Sequence, residues 1–257
     1  MKFLLDLAIR KVLLIDQIRN FYCFCRVFYF CKILNKMKEF ENVSEDTWKN
    51  TLASNKRAVY NKNIDLPKHP NAKRFFDIGK TLDGSKTKWL LEAIEYKYEK
   101  SDYKNLKILS IGPRSEGEIF LLYANGFKLQ NISAVDLFSY SPLITLGDMH
   151  SLKYKENTFD IVLMGWCLAY SNNKKKVLLE VNRVLKKTSS VIIGHTMFDM
   201  PEKEIISKRG YLVASPFEKI KDKNDLNLLM KETHFKEFYS KSMEYNKSKK
   251  IVYGATS

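Results

Sequence analysis

Short apolar runs alternate with longer amphipathic stretches from residue 105 to the end of the chain. Leu106–Ile111 (LKILSI) runs into Gly112, Ile132–Val135 into Asp136, Phe159–Met164 (FDIVLM) into Gly165, and Ser190–Ile193 into Gly194. Apolar runs this short, closed by glycine or aspartate, predict strands buried on both faces. Between them, Glu118–Asn125 predicts a helix stopped by Gly126 as its C′ residue. Lys174–Lys186 predicts another, with Val177, Leu178, Val181, Val184 and Leu185 on one face. Strands alternating with helices imply a parallel sheet with right-handed crossovers. Asp222–Thr233 then reads as a helix, and Lys236–Tyr245 and Lys250–Gly254 as a closing pair of strands.

Upstream the pattern changes. Ser85 can cap a helix over about 86–98, with Trp89, Leu90, Ala93 and Ile94 in its apolar stripe. Residues 37–75 are polar and mixed, with Trp48 and Pro67–Lys68–His69–Pro70, which predicts a loop with one or two short helices. Residues 1–36 are different again. Lys2, Asp6, Arg10, Asp16, Gln17 and Asn20 gather on one side of a helical wheel, while residues 21–34 are mostly aromatic and apolar. Charges interrupt every apolar run well short of the roughly 18–20 residues that span a bilayer, and no small-residue cleavage site follows a clean apolar stretch, so a secretory signal is not expected. Two readings stay open for 1–36: an interfacial helix that lays Phe, Leu and Tyr into a membrane surface, or a helix pair that covers the domain core or a dimer interface. Three parts are expected: a helical segment at 1–36, a helical lead-in at 37–104 and a main domain at 105–257.

Composition narrows the class. With 257 residues, 45% hydrophobic and 13% aromatic, the chain is neither disordered nor collagen-like. Four Cys are too few for a disulfide scaffold, and a reducing, cytoplasmic setting is expected, with 1–36 as the part that could meet the inner membrane face. Cys23, Cys25 and Cys31 read as small buried apolar residues, because C-x-C-x5-C without a nearby His falls short of a zinc site; no metal is expected. The net charge of +15 is spread along the chain, with residues 1–36 carrying seven basic and two acidic side chains. A diffuse excess without an RNA-module signature is weak support for nucleic acid.

Candidate chemistry falls at the carboxyl ends of the expected strands, where open α/β sheets bind ligands. Gly112-Pro113-Arg114-Ser115-Glu116-Gly117-Glu118 follows the first strand; Gly112 permits a tight turn and Gly117 a close approach. Asp136, 24 residues after Gly112, can accept both hydroxyls of a ribose. Gly147-Asp148-Met149-His150 and Gly165-Trp166 complete the set. His150, His195 and Tyr170 lie at or just after strand ends and are the candidate bases, each with a structural reading beside the catalytic one. Cys167 lacks a partner His at motif spacing and is not expected to be a nucleophile.

Residues 105–195, with 235–254 at the edge of the sheet, resemble the class I S-adenosylmethionine-dependent methyltransferases, of the type 11 kind. LKILSIGPRSEGE resembles the family's first motif, ISAVDL the second, GDMHSLKYKENTFDIVLMGW the run into the fourth strand, and VLLEVNRVLKKTSSVIIG the helix and strand that follow. The resemblance implies a Rossmann-like, doubly wound, mostly parallel α/β sheet with an antiparallel C-terminal strand, here with an N-terminal helical extension. It implies S-adenosylmethionine as cofactor, with ribose contact at Asp136 and its neighbour Leu137, adenine contact at Asp148 and Met149, and methionine-moiety contact at Gly112 and the Gly165–Trp166 backbone. Pro113 and Gly117 belong to the same loop. Glu116 could meet the cofactor's ammonium and Arg114 a carboxylate, or the pair could be internal salt-bridge partners. The chain departs from the family in carrying Ser110 where an acid is common, in lacking G-x-G-x-G, and in leaving only FSYSPLITL to cross from Asp136 toward Asp148.

The expected function is methyl transfer to a small-molecule or saccharide acceptor. The alternatives are an RNA methyltransferase, supported only by the charge, and a non-catalytic module with this fold, suggested by the altered glycine loop. A nicotinamide-dependent oxidoreductase is disfavoured because G-x-G-x-x-G is absent.

Overall fold

The structure, a computed structural model, describes residues 2–36, 38–48, 85–113, 115–198, 200–201, 203–205, 219–245 and 248–257. At its centre is a seven-stranded sheet. Its strands are β2 (Ile108–Ile111), β3 (Ile132–Asp136), β5 (Thr145–Leu146), β6 (Phe159–Gly165), β7 (Leu185–Phe198), β8 (Lys236–Tyr245) and β9 (Ser248–Thr256), in the order β5-β3-β2-β6-β7-β9-β8. β9 runs antiparallel to both its neighbours and the other pairings are parallel. A two-stranded ribbon of β1 (Lys38–Glu39) and β4 (Phe138–Ser139) stands beside it. The mostly parallel α/β sheet with its antiparallel C-terminal strand is the architecture expected from the sequence.

Alternation along the strands decides which helix covers which face. In β6, Val162 and Met164 point to one side, into a core shared with Val177, Leu178, Val181 and Val184 of α5 (Lys174–Val184) and with Leu226 and Met230 of α6 (Lys223–Glu232). Ile161 and Leu163 point to the other, against Leu90, Ala93 and Ile94 of α3 (Ser85–Lys97) and Leu121 and Leu122 of α4 (Glu116–Ala124). All four β6 residues are fully buried, which is why the run reads as continuously apolar. Local signals start and stop the helices. Ser115, Asn173 and Asp222 cap α4, α5 and α6 by accepting backbone N–H bonds, each worth about 1 kcal/mol. Gly126 follows α4 at φ +118°, the left-handed stop its position predicts.

Several boundaries move. The strand expected at 190–193 runs from Leu185 to Phe198, because β9 pairs with it continuously from Ser190↔Thr256 to Phe198↔Ser248. The preceding helix therefore ends at Val184 rather than 186. α4 opens at Glu116, two residues earlier than its apolar pattern, since Ser115 supplies the cap. α3 begins at Ser85 itself. Of the loop expected over 37–75, residues 49–75 lie outside the described ones; residues 38–48 form a strap that begins in β1. No helix fills residues 137–144, so β3 and β5 are joined by the short FSYSPLITL crossing.

Residues 1–36 form α1 (Lys2–Leu13) and α2 (Asp16–Phe28), followed by a π-helical turn at Tyr29–Ile33. The pair rests on the outer side of α4, where Leu13 and Cys23 meet Phe120 and Ala124. Cys23 is buried there, but Cys25 is exposed, so the three cysteines do not share the buried role expected of them. α2 turns Cys23 toward α4, and Cys25, 200° further round, away from it.

Close packing over β7, inside the sheet, can be tested. A Cβ on Gly194 would lie 2.6 Å from the Trp166 ring, which is itself wedged against Trp89. Gly194→Ala is expected to destabilise the protein by about 2 kcal/mol through forced repacking, read as a lower midpoint in urea unfolding with an unchanged slope.

Candidate functional site

Register brings the expected site residues together. β2 lies between β3 and β6, and Ile111 pairs with Val135 on one side and Met164 on the other. The residues that follow, Gly112, Asp136 and Gly165, therefore emerge side by side at the carboxyl edge. Strand order also reverses here, because the chain winds outward from β2 through β3 to β5 in one direction and through β6 to β7 in the other. That reversal is the switch point at which open α/β sheets bind ligands.

Each position has a local reason for its shape. Gly112 sits at φ +68°, and a Cβ there would lie 2.6 Å from the Cys167 Cβ, so only glycine lets the loop after β6 close over the first turn. Trp166 holds φ +66°, a strained conformation for a large residue. It is held by its backbone N–H bonding Gly194 O at 3.0 Å and its indole Nε1–H bonding Thr196 Oγ1 at 2.9 Å. Gly165 faces the Glu118 carboxylate, with Oε2 at 3.2 Å from where a Cβ would stand. Asp136, Leu137, Gly112, Pro113 and Gly165 are half-buried, as a ligand-lining edge requires. Gly117 is buried inside the first turn of α4. Arg114 lies outside the described residues.

The two glutamates of the loop point into the protein. Glu116 is fully buried and forms a two-pronged ion pair with Arg26 of α2, Nη2 reaching Oε1 at 2.7 Å and Nε bonding Oε2; the Ser141 hydroxyl donates to Oε1 as well. The ion pair that Glu116 makes is with Arg26 of α2, a partner 90 residues away rather than a neighbour in its own loop. Glu118 is buried and accepts from the Ser110 and Thr87 hydroxyls. Burial pushes its carboxyl up, against the pull of those two bonds and with added repulsion from Asp136. Ser110, which departs from the family pattern, is thus the partner of Glu118.

Asp148 holds the strap. Its Oδ1 accepts from the His150 backbone N–H at 2.9 Å and from Nδ1 at 2.6 Å; Oδ2 accepts from the Ser44 N–H at 2.9 Å and the Thr47 hydroxyl at 3.1 Å. Both oxygens are engaged by these four donors, so the side chain holds the strap at the position for which the resemblance implies adenine contact. Burial opposes its charge, yet the bonds from His150 and Ser44 outweigh burial and hold its carboxyl well below the ordinary value of 3.8. Half-buried Met149 remains beside it on the edge.

The candidate bases are enclosed. The carboxylate of Asp148 only accepts, so His150 Nδ1 donates to it, and Nε2 faces Ser171 Oγ at 2.7 Å. This Asp–His–Ser chain has the connectivity of a hydrolase triad. Ser171 is fully buried, however, and its Oγ also accepts from Asn173 N–H at 2.9 Å, so the chain is a structural tie. It fastens the strap to the loop after β6, together with the Thr47↔Ser171 bridge and the Trp48 N–H bond to Tyr170 O at 2.8 Å. His195 is buried; desolvation and the charge of Lys174 push its imidazole down to about 4, so it stays neutral at physiological pH. Tyr170 is half-buried and is the most accessible of the three. Cys167 donates to Ile111 O at 3.1 Å, and burial raises its thiol far above the usual range, which excludes a thiolate. Arg26, Ser44, Thr47, Thr87 and Ser171 were not legible as site residues, because each reaches the site through folding rather than through a motif.

A family model for a methyltransferase domain matches residues 127–193. No curated protein matches the chain. Among solved structures, the MccD protein is 13% identical with a TM-score of 0.51, covering 66% of this chain and 95% of its own. The YcgJ protein of Bacillus subtilis is 11% identical with a TM-score of 0.48, over 65% of this chain and 96% of its own. A SAM-dependent methyltransferase of Methanosarcina mazei is 16% identical with a TM-score of 0.43, over 61% and 95%. At such identities the likeness is one of fold, and the first of the three carries it. Fold and family match agree: residues 127–193 carry the sequence pattern of a methyltransferase domain, on a fold that resembles the solved structure with the TM-score above 0.5. S-adenosylmethionine is the cofactor the family implies.

The strap network has a testable consequence. Asp148→Asn replaces one of the two oxygens that four donors share with an NH2 group and is expected to cost about 2 kcal/mol at neutral pH. Because the folded carboxyl lies below its ordinary 3.8, the stability it contributes is present above that pH and is lost as pH falls below it. Urea unfolding at pH 7 and at pH 3 should show the variant's deficit shrinking at the lower pH.

Proposed function

We propose that the protein transfers a methyl group from S-adenosylmethionine to a small-molecule or saccharide acceptor. The observation that carries this reading is the convergence of Gly112, Asp136 and Gly165 on neighbouring strand ends at the switch in strand order. The residues present fit the cofactor there. Asp136 is a half-buried carboxylate at the place of a ribose diol, and Gly112 opens the turn that only glycine allows. When bound, the cofactor supplies an electrophilic methyl on a sulfonium, whose transfer breaks the carbon–sulfur bond as the acceptor's heteroatom forms the new one.

The chain's own contribution is positioning and exclusion of water. Asp136 and Leu137 would orient the ribose, Met149 would border the adenine, and the Gly112 and Gly165–Trp166 backbones would line the methionine moiety. The Trp166 indole, fixed by Thr196 and Gly194, keeps that turn rigid. His150 and His195 are positioned inside the fold rather than toward an acceptor; Tyr170 is the candidate to take part in a proton transfer, through its hydroxyl.

The strap supports a small acceptor over RNA. It crosses the carboxyl edge from Phe40, whose N–H bonds Leu137 O at 2.8 Å, to Trp48 at Tyr170. A roofed edge suits a molecule that enters beneath it, whereas a structured RNA needs an open face.

Calorimetric titration of S-adenosylmethionine into the wild type and into Asp136→Ala tests the reading. Saturable binding is expected in the wild type, weakened about tenfold to a hundredfold in the variant, as loss of a charge-assisted pair of hydrogen bonds predicts. Absence of binding in the folded wild type would overturn the proposal.

A further inference from the structure

The helix pair at the N-terminus is apolar on its outward side as well as on the side that meets the domain. Four of its charged side chains are turned inward, onto the domain or between the two helices. Asp6 accepts from the Tyr123 hydroxyl, Arg10 donates to Tyr123 O and to Phe127 O at 3.1 Å, Arg19 is fully buried and donates to Leu13 O at 2.8 Å, and Arg26 grips Glu116. Leu13, Cys23 and Val27 pack inward, but most of its large apolar side chains face away. Leu4 is 67% exposed, Leu5 62%, Phe21 69% and Ile33 60%. On α2 the outward stripe is Ile18, Phe21, Cys25 and Phe28, spaced i, i+3, i+7 and i+10 along one face. A surface helix whose only duty is to cover a core does the reverse, and a contiguous exposed apolar patch marks a binding surface.

We propose that this outward face of α1 and α2 is an interfacial anchor for an anionic lipid bilayer. Charge selects the occupant. Residues 1–36 carry seven basic and two acidic side chains, within a chain of net charge +15. Lys11 is exposed on the outward side of α1, one turn beyond Leu7, and Lys36 and Lys38 are exposed just past the π-helical turn. Apolar residues that enter the acyl boundary with lysines at headgroup level are the composition of a helix lying in the membrane plane. Tyr22 and Tyr29, both exposed, supply the aromatic side chains that favour that depth. A second copy of this chain would instead bring two strongly positive surfaces together. Among the described residues no helix is long and apolar enough to cross a membrane, so the mode is surface attachment.

The geometry ties the anchor to the site. Arg26 is on α2, and its partner Glu116 opens α4 directly after the first-strand loop. Docking would therefore hold the cofactor edge at a fixed distance from the headgroups. The inference does not depend on methyl transfer, and its test is separate from the cofactor titration.

Full-length protein is sedimented with phosphatidylcholine vesicles and with vesicles containing about one-third phosphatidylglycerol, alongside Ile18→Glu/Phe21→Glu and Lys11→Glu/Lys36→Glu. The wild type should partition to the anionic vesicles about tenfold more strongly than to the neutral ones. The first variant should lose at least about tenfold on both, since two apolar side chains no longer enter the acyl boundary. The second keeps the apolar face and should lose only the anionic preference. Circular dichroism melts confirm that both remain folded; their substitutions are at exposed positions, and the charge-reversal pair keeps the test decisive if the first variant does not fold. Wild type that stays in the supernatant with anionic vesicles overturns the proposal. So does a wild-type dimer in velocity sedimentation that Phe21→Glu converts to monomer, which would assign the face to a second copy.

Discussion

Parallel strands cannot be joined by tight turns, and this constraint organises the molecule. Each crossover must travel back along the sheet, so β2, β3, β5, β6 and β7 all end on the same edge. The crossovers α4 and α5 cover opposite faces, which is why Ile161 and Leu163 pack on one side of β6 and Val162 and Met164 on the other. Loops free of ladder pairing then collect at the carboxyl edge. Gly112, Asp136 and Gly165 share it because their strands are hydrogen-bonded neighbours in register. The strained Trp166 turn and the close approach of Cys167 to Gly112 are concentrated at the same place, where surrounding packing can hold them.

Two buried polar networks fasten later additions to that edge. Asp148, His150 and Ser171 bind the strap of residues 38–48 across the strand ends. Arg26, Glu116 and Ser141 bind α2 to the start of α4. In both, a carboxylate that burial would otherwise penalise is matched by donors on both oxygens, and removing one partner would strand a charge in the interior at a cost of about 3–5 kcal/mol. Residues that resemble cofactor contacts in the linear sequence, Glu116 and Asp148, are spent on these attachments. On the proposed reading, the cofactor edge is left to Asp136, the glycine turns and Met149. The same attachments, with Leu13 and Cys23 packed on α4, fix the orientation of the N-terminal helices and leave Leu4, Leu5 and Phe21 to solvent or lipid.

The main domain was largely legible in the sequence because its signals are local. Continuous apolar runs ending in glycine or aspartate mark strands buried on both sides, and amphipathic stretches with a capping Ser, Asn or Asp mark the crossovers, so the strand–helix order and the positions of Gly112, Asp136 and Gly165 follow from neighbours in the chain. Strand length did not follow, because β7 continues to Phe198 only through its pairing with β9, which begins 50 residues further along the chain. The roles of Glu116, Glu118 and Asp148 did not follow either. A carboxylate beside a glycine turn reads alike whether it faces a ligand or an arginine 90 residues away, and only the folded chain brings Arg26, Thr87 or Ser44 within hydrogen-bonding distance. For residues 1–36 the helical period was visible, but which side of each helix meets the domain depends on the partner surface of α4, and that surface exists only once α4 is packed on the sheet.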